Sequence, residues 1–372
     1  MKKTIQHITL SLCFAATLLS NAFGQVVSNK PQLENKDSWS MIMIPDIQNY
    51  VKWGRNQPIL ELMTAWIEAN IDTLNIRMVV CVGDLVQNNE KITNDYDGDQ
   101  STQRQWEAAS GAFKRLSGKV PFIAATGNHD YSIDREGNRT SRYNEFFKVD
   151  DNFLNAKYLV QNARDEQQQQ TLANAAYEIK GLGGRDYLFM TMEFAPRDTI
   201  VSWAKKVADM PAYKDHRIVL VTHSYLTPKD ELGNTPSKWL LWEPYQVDGK
   251  ILKSGGIMLP NANNGQQLWD KFVQPSSNID IVLSGHFTGE GYKKGINDHG
   301  KSVHQILFDA QAMGGGGRSG NGGDGWLRIL EFFPDDATVK VRTFSPLFGI
   351  SPTTQEHAWK KDARNEYTIE LD

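Results

Sequence analysis

Cysteine is scarce, with two residues among 372. Cys13 falls in an N-terminal apolar stretch, so a chain that sheds its N-terminus keeps Cys81 alone and gains nothing from disulfides. Cys81 lies in a run that reads as a buried strand and is expected to be an inert core thiol. Blocks of one charge are also missing. The formal net charge is −4 with no Lys/Arg stripe, which argues against a nucleic-acid binder. No apolar run is long enough for a stable membrane span. Residues 8–19 are mostly apolar, follow Lys2 and Lys3, and precede Asn21-Ala22-Phe23-Gly24, the pattern of a secretory signal. Cleavage near Gly24 removes two lysines and no acids, leaving a charge of about −6. It would deliver the protein to the periplasm or the exterior. Leu12 stands where a lipoprotein signal would need a small residue before Cys13, so lipidation is not expected.

What is present suits one large domain: 40% hydrophobic and 23% charged residues, enough to bury a substantial core. Residues 25–38 are polar and read as a short linker to a domain over 39–372. Residues 40–45 form a first apolar strand. Ile59, Leu60, Leu62, Met63, Trp66, Ile67 and Ile71 recur at helical spacing and predict a helix over about 57–74. A strand at 78–82 follows, so the opening is the strand–helix–strand of a parallel α/β unit. Asp95, Asp97 and Asp99 resemble the start of a calcium loop, but Gln100 takes the turn position and Trp106 the twelfth, so a solvated loop is expected. A helix at 106–116 and a strand at 120–124 come next. A short helix near 142–147, a hairpin of 177–180 with 187–194 through Gly181–Gly184, a helix at 199–209 and a strand at 217–222 continue the chain. Residues 225–265, with Trp239, Trp242 and Tyr245, are long enough to be a lid insertion. Strands at 279–283, 303–308, 326–333 and 338–344 close the chain. The second half therefore reads as a second sheet packed on the first, with helices outside. There is no internal repeat.

Five of these apolar runs stop at polar residues able to bind metal or move protons: Asp46-Ile47-Gln48, Gly83-Asp84, Gly127-Asn128-His129-Asp130, His223 and Gly285-His286. They would converge along the carboxyl edge of a sheet, where sites form in open α/β folds. Asn49 and Tyr50 could touch substrate or simply make a turn and a packing ring. Glycines at 314–317, 320, 322, 323 and 325 surround Arg318, which could fork onto a phosphate or carboxylate from a loop of close-approaching amides. His216, His299 and His304 read as surface or sheet residues, and the tryptophans of 225–265 as packing or as a stacking platform.

The ordered set of five clusters resembles the calcineurin-like metallophosphoesterase superfamily, and the tail resembles a secreted bacterial subgroup with an Asp-x-Gln first motif, glutamines like Gln305 and Gln311, a Gly-rich loop and Trp326-Leu327-Arg328. The resemblance implies a four-layer α/β/β/α sandwich of two mixed sheets. It implies one or two divalent ions (Mn, Fe, Zn, Mg or Ca), bridged by Asp84. Asn128, His223 and His286 would complete one shell, suited to Mn, Fe or Zn. Asp46 would serve the other, where this chain departs from the family by carrying Gln48 and Thr288 in place of imidazoles; that loss favours a harder ion or none. His129 would be the general acid, with Gln87 at the position of the carboxylate that orients it in many relatives, and Asp130 a possible substitute. The activity implied is hydrolysis of a phosphomonoester or diester, on a small molecule or a glycan, by metal-bound hydroxide. The alternatives are a single-metal enzyme of the same fold acting on a glycan or other substrate, and a carbohydrate- or partner-binding pseudoenzyme.

Overall fold

A computed structural model describes residues 31–90, 98–134, 137–233, 245–247, 250–252, 261–315 and 317–372. The strands of its two large sheets, in chain order, begin with β1 (Trp39–Ile44), β2 (Ile76–Cys81), β3 (Phe122–Ala124), β4 (Leu159–Arg164), β5 (Gln170–Leu182), β6 (Arg185–Thr191) and β7 (Arg217–Val221). Then come β8 (Ile279–Ser284), β9 (Gly289–Ile296), β10 (Ser302–Asp309), β11 (Leu327–Phe332), β12 (Thr338–Phe344), β13 (Trp359–Lys360) and β14 (Glu366–Glu370). One sheet runs β13-β12-β11-β1-β2-β3, with β14 also on β12; the other runs β9-β10-β8-β7-β6-β5-β4. Both are mixed: β1, β2 and β3 pair in parallel, as do β6, β7, β8 and β10, with antiparallel strands outside them.

The two sheets share a core because successive strand residues point to opposite faces. Val219, Val221, Ile281, Leu283, Ile306 and Phe308 join the cluster that contains Met41, Val79 and Leu330 of the first sheet. Their neighbours Ile218, Leu220, Val282 and Leu307 turn the other way, onto Ile200, Ala204 and Val207 of helix α3 (Asp198–Ala208), preceded in the chain by α1 (Gln57–Ala69) and α2 (Thr102–Lys114). Parallel connections lay helices against a sheet. α1 and α2 do this with Leu60, Met63, Ile67, Trp106, Ala109 and Phe113, on the side the second sheet leaves open. Each such side chain, fully buried, stabilises the fold by about 1.5–3 kcal/mol before entropy is counted. The architecture is the helix–sheet–sheet–helix sandwich expected.

Details differ from the sequence reading. α1 stops at Ala69, where Asn70 folds its side-chain amide onto the Trp66 carbonyl. α2 starts at Thr102, a turn early, because Ser101 caps it by accepting from the Arg104 amide. The second half does not make the second sheet alone. β11 lies antiparallel to β1, Ile42 opposite Ile329, so the last strands complete the first sheet, and the second sheet begins at Leu159. An apolar run announces that a strand is buried but not beside which strand. β4 and β9 were not foreseen: β4 is half-buried and polar, and β9 is an edge strand of Gly and Lys. The glycine turn at 181–184 does join two strands, of which Gln170–Leu182 extends far beyond the residues expected. The leader at 1–24, Asp95, Asp97, Trp239, Trp242 and most of the insertion at 225–265 lie outside the described residues. No described helix is long and apolar enough to cross a membrane.

Candidate metal centre

The polar clusters follow β1, β2, β3, β7 and β8, so they converge from two facing sheets and not from one edge as the sequence suggested. Asp46, Asp84 and His223 each offer a ligand atom within 4.8 Å of the others, and all three are buried. Their placement depends on unusual backbone. Asp84 (φ 49°) and His286 (φ 73°) both adopt the left-handed conformation, a strain that persists where surrounding structure enforces it. Gly83, also at positive φ, has no room for a side chain, because a Cβ would lie 2.5 Å from His223 Nδ1.

The imidazoles are aimed by the main chain. His223 Nδ1 lies 2.8 Å from the Val82 carbonyl. A carbonyl only accepts, so Nδ1 carries the hydrogen and Nε2 faces inward. There it stands 3.0 Å from Asn128 Oδ1 and 3.2 Å from Asp84 Oδ1. His286 Nδ1 is 2.7 Å from the same Asn128 oxygen, and the His286 amide donates to Asp46 Oδ2 at 3.0 Å. Burial works against charge on His223, and the Asp84 carboxylate outweighs it and raises the imidazole above its ordinary value. Burial also works against ionised Asp84, and His223 and His129 outweigh that, holding its carboxyl well below the usual range.

These residues fit a divalent ion. Two donors each about 2.1 Å from one ion and at right angles stand about 3.0 Å apart, close to the spacing of Asn128 with His223, Asn128 with His286 and Asp84 with His223. Nitrogen and oxygen atoms that repel one another as bare lone pairs attract a shared cation. Asp46 Oδ1 is buried with no hydrogen-bond partner, as is Gln48 Oε1. Burial, then Asp309, then Asp84 push the Asp46 carboxyl well above its ordinary value.

Gln48 sits beside Asp84, donating from Nε2 to Oδ2 at 2.9 Å and to Gln311 Oε1 at 2.6 Å. Thr288 is exposed, with its hydroxyl 3.3 Å from Asp309 Oδ2. His129 places its amide on Asp84 Oδ1 at 3.0 Å and Nδ1 2.6 Å from the Gln87 carbonyl. The Gln87 backbone, not its side chain, therefore orients the ring; its side-chain oxygen accepts from Lys52. Asp130 does not take that part either, because its carboxylate accepts from the amides of Leu85, Val86 and Gly127 and binds two loops together. Asn49 donates to the Gln311 carbonyl, and Tyr50 is fully buried with its hydroxyl on the Gly325 amide, under the glycine loop. Arg318 lies in a short turn (Gly317–Ser319), and its side chain is outside the described residues. His216 is buried beside Glu178, and His304 in β10 meets Tyr292.

Sequence reasoning missed Asp309, which is fully buried at the end of β10 and accepts from Gln311 and Thr288. The signal was available: Phe308-Asp309 is another apolar strand ending in an acid. Gln311, bonded to Asp309, Gln48 and Asn49, was noted only as part of a glutamine pattern.

Two facing mixed sheets with two carboxylates, an amide and two imidazoles gathered at their strand ends define an α/β protein with a buried group able to hold a divalent cation. Residues 43–288 match the calcineurin-like phosphoesterase family, and the chain belongs to it, a hydrolytic and metal-dependent family. "Uncharacterized protein YvnB" of Bacillus subtilis (strain 168) is 26% identical over 320 residues, 84% of this chain and 20% of that protein. The chain thus spans about a fifth of that relative's length. A solved dimetal phosphatase from Danio rerio aligns with 90% of this chain and 99% of its own at 10% identity and TM-score 0.49. GAP50, the anchor in the inner membrane complex of Plasmodium, aligns with 90% of this chain and 89% of its own at 11% identity and TM-score 0.42.

Proposed function

We propose that this protein is an exported phosphoesterase that hydrolyses a phosphomonoester or phosphodiester, either of a small molecule or of a glycan. The observation that carries this reading is the meeting of Asp46, Asp84, Asn128, His223 and His286 with His129 at their side. Divalent ions held there neutralise the phosphoryl oxygens of an ester and acidify a coordinated water. Asn128, His223, His286 and Asp84 Oδ1 would hold one ion. Asp84 Oδ2 accepts from Gln48, and Asp46 offers an oxygen within 4.8 Å of an Asp84 ligand atom, so these two carboxylates would serve any second ion.

His129 is the general acid. The Gln87 carbonyl takes the Nδ1 hydrogen, so Nε2 is the atom from which the protonated ring would pass a proton to the departing alkoxide. Water adds to phosphorus, the ester P–O bond breaks, and the alcohol leaves with that proton. The ring's orientation needs no carboxylate, so the chain tolerates an amide at residue 87. The basic, apolar N-terminus motivates export, with a periplasmic or extracellular site of action.

The test is metal content of protein purified without chelator, then turnover of aryl phosphomonoesters and diesters with Mn, Mg, Zn or Ca. Turnover should vanish in Asp84→Ala. In His129→Ala it should fall about 10²–10⁴-fold with metal content kept. Bound ions with no turnover of either ester class, under any of the four metals, would refute the proposal.

A further inference from the structure

Phe194 is fully buried in the segment that joins β6 to α3. Its ring lies against both imidazoles of the centre, with centroids 5.9 Å from His223 and 6.1 Å from His286. The imidazoles meet each other at 5.0 Å, nearly edge to face, and Phe287 stands 4.6 Å from His286. All four separations are those of aromatic rings in contact. The last torsion of a histidine side chain is broad, so an imidazole keeps one plane only where its neighbours hold it. His223 has the Val82 carbonyl for that purpose. Phe194 touches His223 and His286 alike, and so can fix the angle between them.

The backbone under the Phe194 ring is clamped. Arg139, itself buried, donates from Nη1 to the carbonyls of Phe194 and Ala195 and from Nη2 to Glu193 Oε1 at 3.0 Å. The Glu193 amide donates to Asn174 Oδ1 at 2.8 Å. The Phe194 amide donates to the Thr126 hydroxyl at 3.4 Å, two residues before Asn128. Ala195 then turns the chain through the left-handed region at φ 43°, which a residue with a side chain adopts only where its surroundings enforce it. Burial alone would seat an ordinary core phenylalanine, since that force has no direction. A guanidinium on its carbonyl sets where the ring points.

We infer that Phe194, clamped by Arg139, is a positioning residue that sets the planes of His223 and His286 so that their inward nitrogens meet one cation. The inference rests on the metal-dependent reading above and adds to it the device that holds the two imidazoles. The competing account makes Phe194 a filler of the small apolar cluster it shares with Ile133, Ala195 and Ala262. Ile133→Ala loosens that cluster and leaves the ring and its clamp in place.

Metal-stripped full-length protein titrated with cobalt(II) separates the two accounts. The first equivalent of this borderline ion goes to the imidazole-bearing position, and its visible ligand-field bands report how the imidazoles stand. In Phe194→Leu the affinity should fall roughly tenfold or more, as it does when a neighbour that orients a ligand is lost, and the bands should shift. In Ile133→Ala both should match the unaltered protein, although each variant should unfold at lower urea in chelator. Either change confined to Phe194→Leu supports the inference. Neither change, or as large a change in Ile133→Ala, overturns it and leaves the phosphoesterase reading standing. No cobalt bound by the unaltered protein would overturn that reading and the inference with it. Should Phe194→Leu fail to fold, Arg139→Lys decides, because lysine keeps the charge beside Glu193 and lacks the guanidinium fork. Cobalt affinity should again fall, and an unchanged affinity overturns the inference.

Discussion

Gly285 offers the sharpest probe of how tightly the centre is built. Replacing it with alanine places a Cβ 2.1 Å from Asp46 Oδ1 and 2.7 Å from Val82 Cγ2. Ordinary contact begins at 3.4 Å, so the methyl and the carboxylate must separate by about 1.3 Å. Rotation of Asp46 cannot supply that, because its other oxygen accepts from the amide of His286, the residue next to the new methyl. Movement therefore has to come from the β1 end or from the turn after β8, both packed in the core. Overpacking of this kind costs about 1–3 kcal/mol, and a ligand oxygen displaced by an ångström should weaken ion binding roughly 10–100-fold. Gly285→Ala should unfold at lower urea with the slope unchanged, measured in chelator so that stability and metal binding are read apart. Calorimetric titration with manganese then reads the affinity. A variant that matches the unaltered protein in both measurements would refute the geometry argued for Asp46, since two of the three atoms nearest the new methyl are its own.

The remaining predictions concern the scaffold. Glu193 is buried between Arg139 and Arg197, at 3.0 and 2.7 Å, and takes an amide hydrogen from Asn174. Burial opposes its charge, the two guanidiniums outweigh burial, and its carboxyl is held below the ordinary 4.5. A depressed carboxyl contributes stability above its unfolded value and loses it as pH falls through the folded one. Glu193→Gln should thus cost about 3 kcal/mol at neutral pH, with the gap narrowing in urea melts below pH 4.5; a gap constant with pH would contradict the ion-pair account. Cys81 is fully buried, and burial pushes its thiol far above the ordinary value. In a chain lacking residues 1–24, a thiol reagent should label it about 1,000-fold or more slower in the native state than in urea. Prompt labelling of native protein would place Cys81 elsewhere.

Much of the centre could be read from the chain alone because the rule behind it is local. An apolar strand ending in a metal-capable residue needs no knowledge of neighbours, and Asp46, Asp84, Asn128, His223 and His286 all obey it. Asp309 obeys it too and was passed over, because one acid after a strand attracts notice only beside the others. The roles around His129 were less legible. Gln87 contributes its backbone carbonyl, which every residue carries, so its side chain revealed nothing, and Asp130 serves three amides that only the folded loops bring to it.

The order of apolar and polar residues was sufficient to specify most of the buried strands, the long helices and the residues at the strand ends, since alternation and helical spacing are properties of a short segment. Which strands lie side by side was settled only by long-range packing. β11 enters beside β1 across nearly three hundred residues, and Trp39 stacks on Phe332 with ring centroids 4.0 Å apart. The centre draws on both sheets for the same reason. His223 and His286 reach Asn128 because the two sheets bury their apolar faces against each other, a non-directional force that aligns strand ends no local pattern could pair.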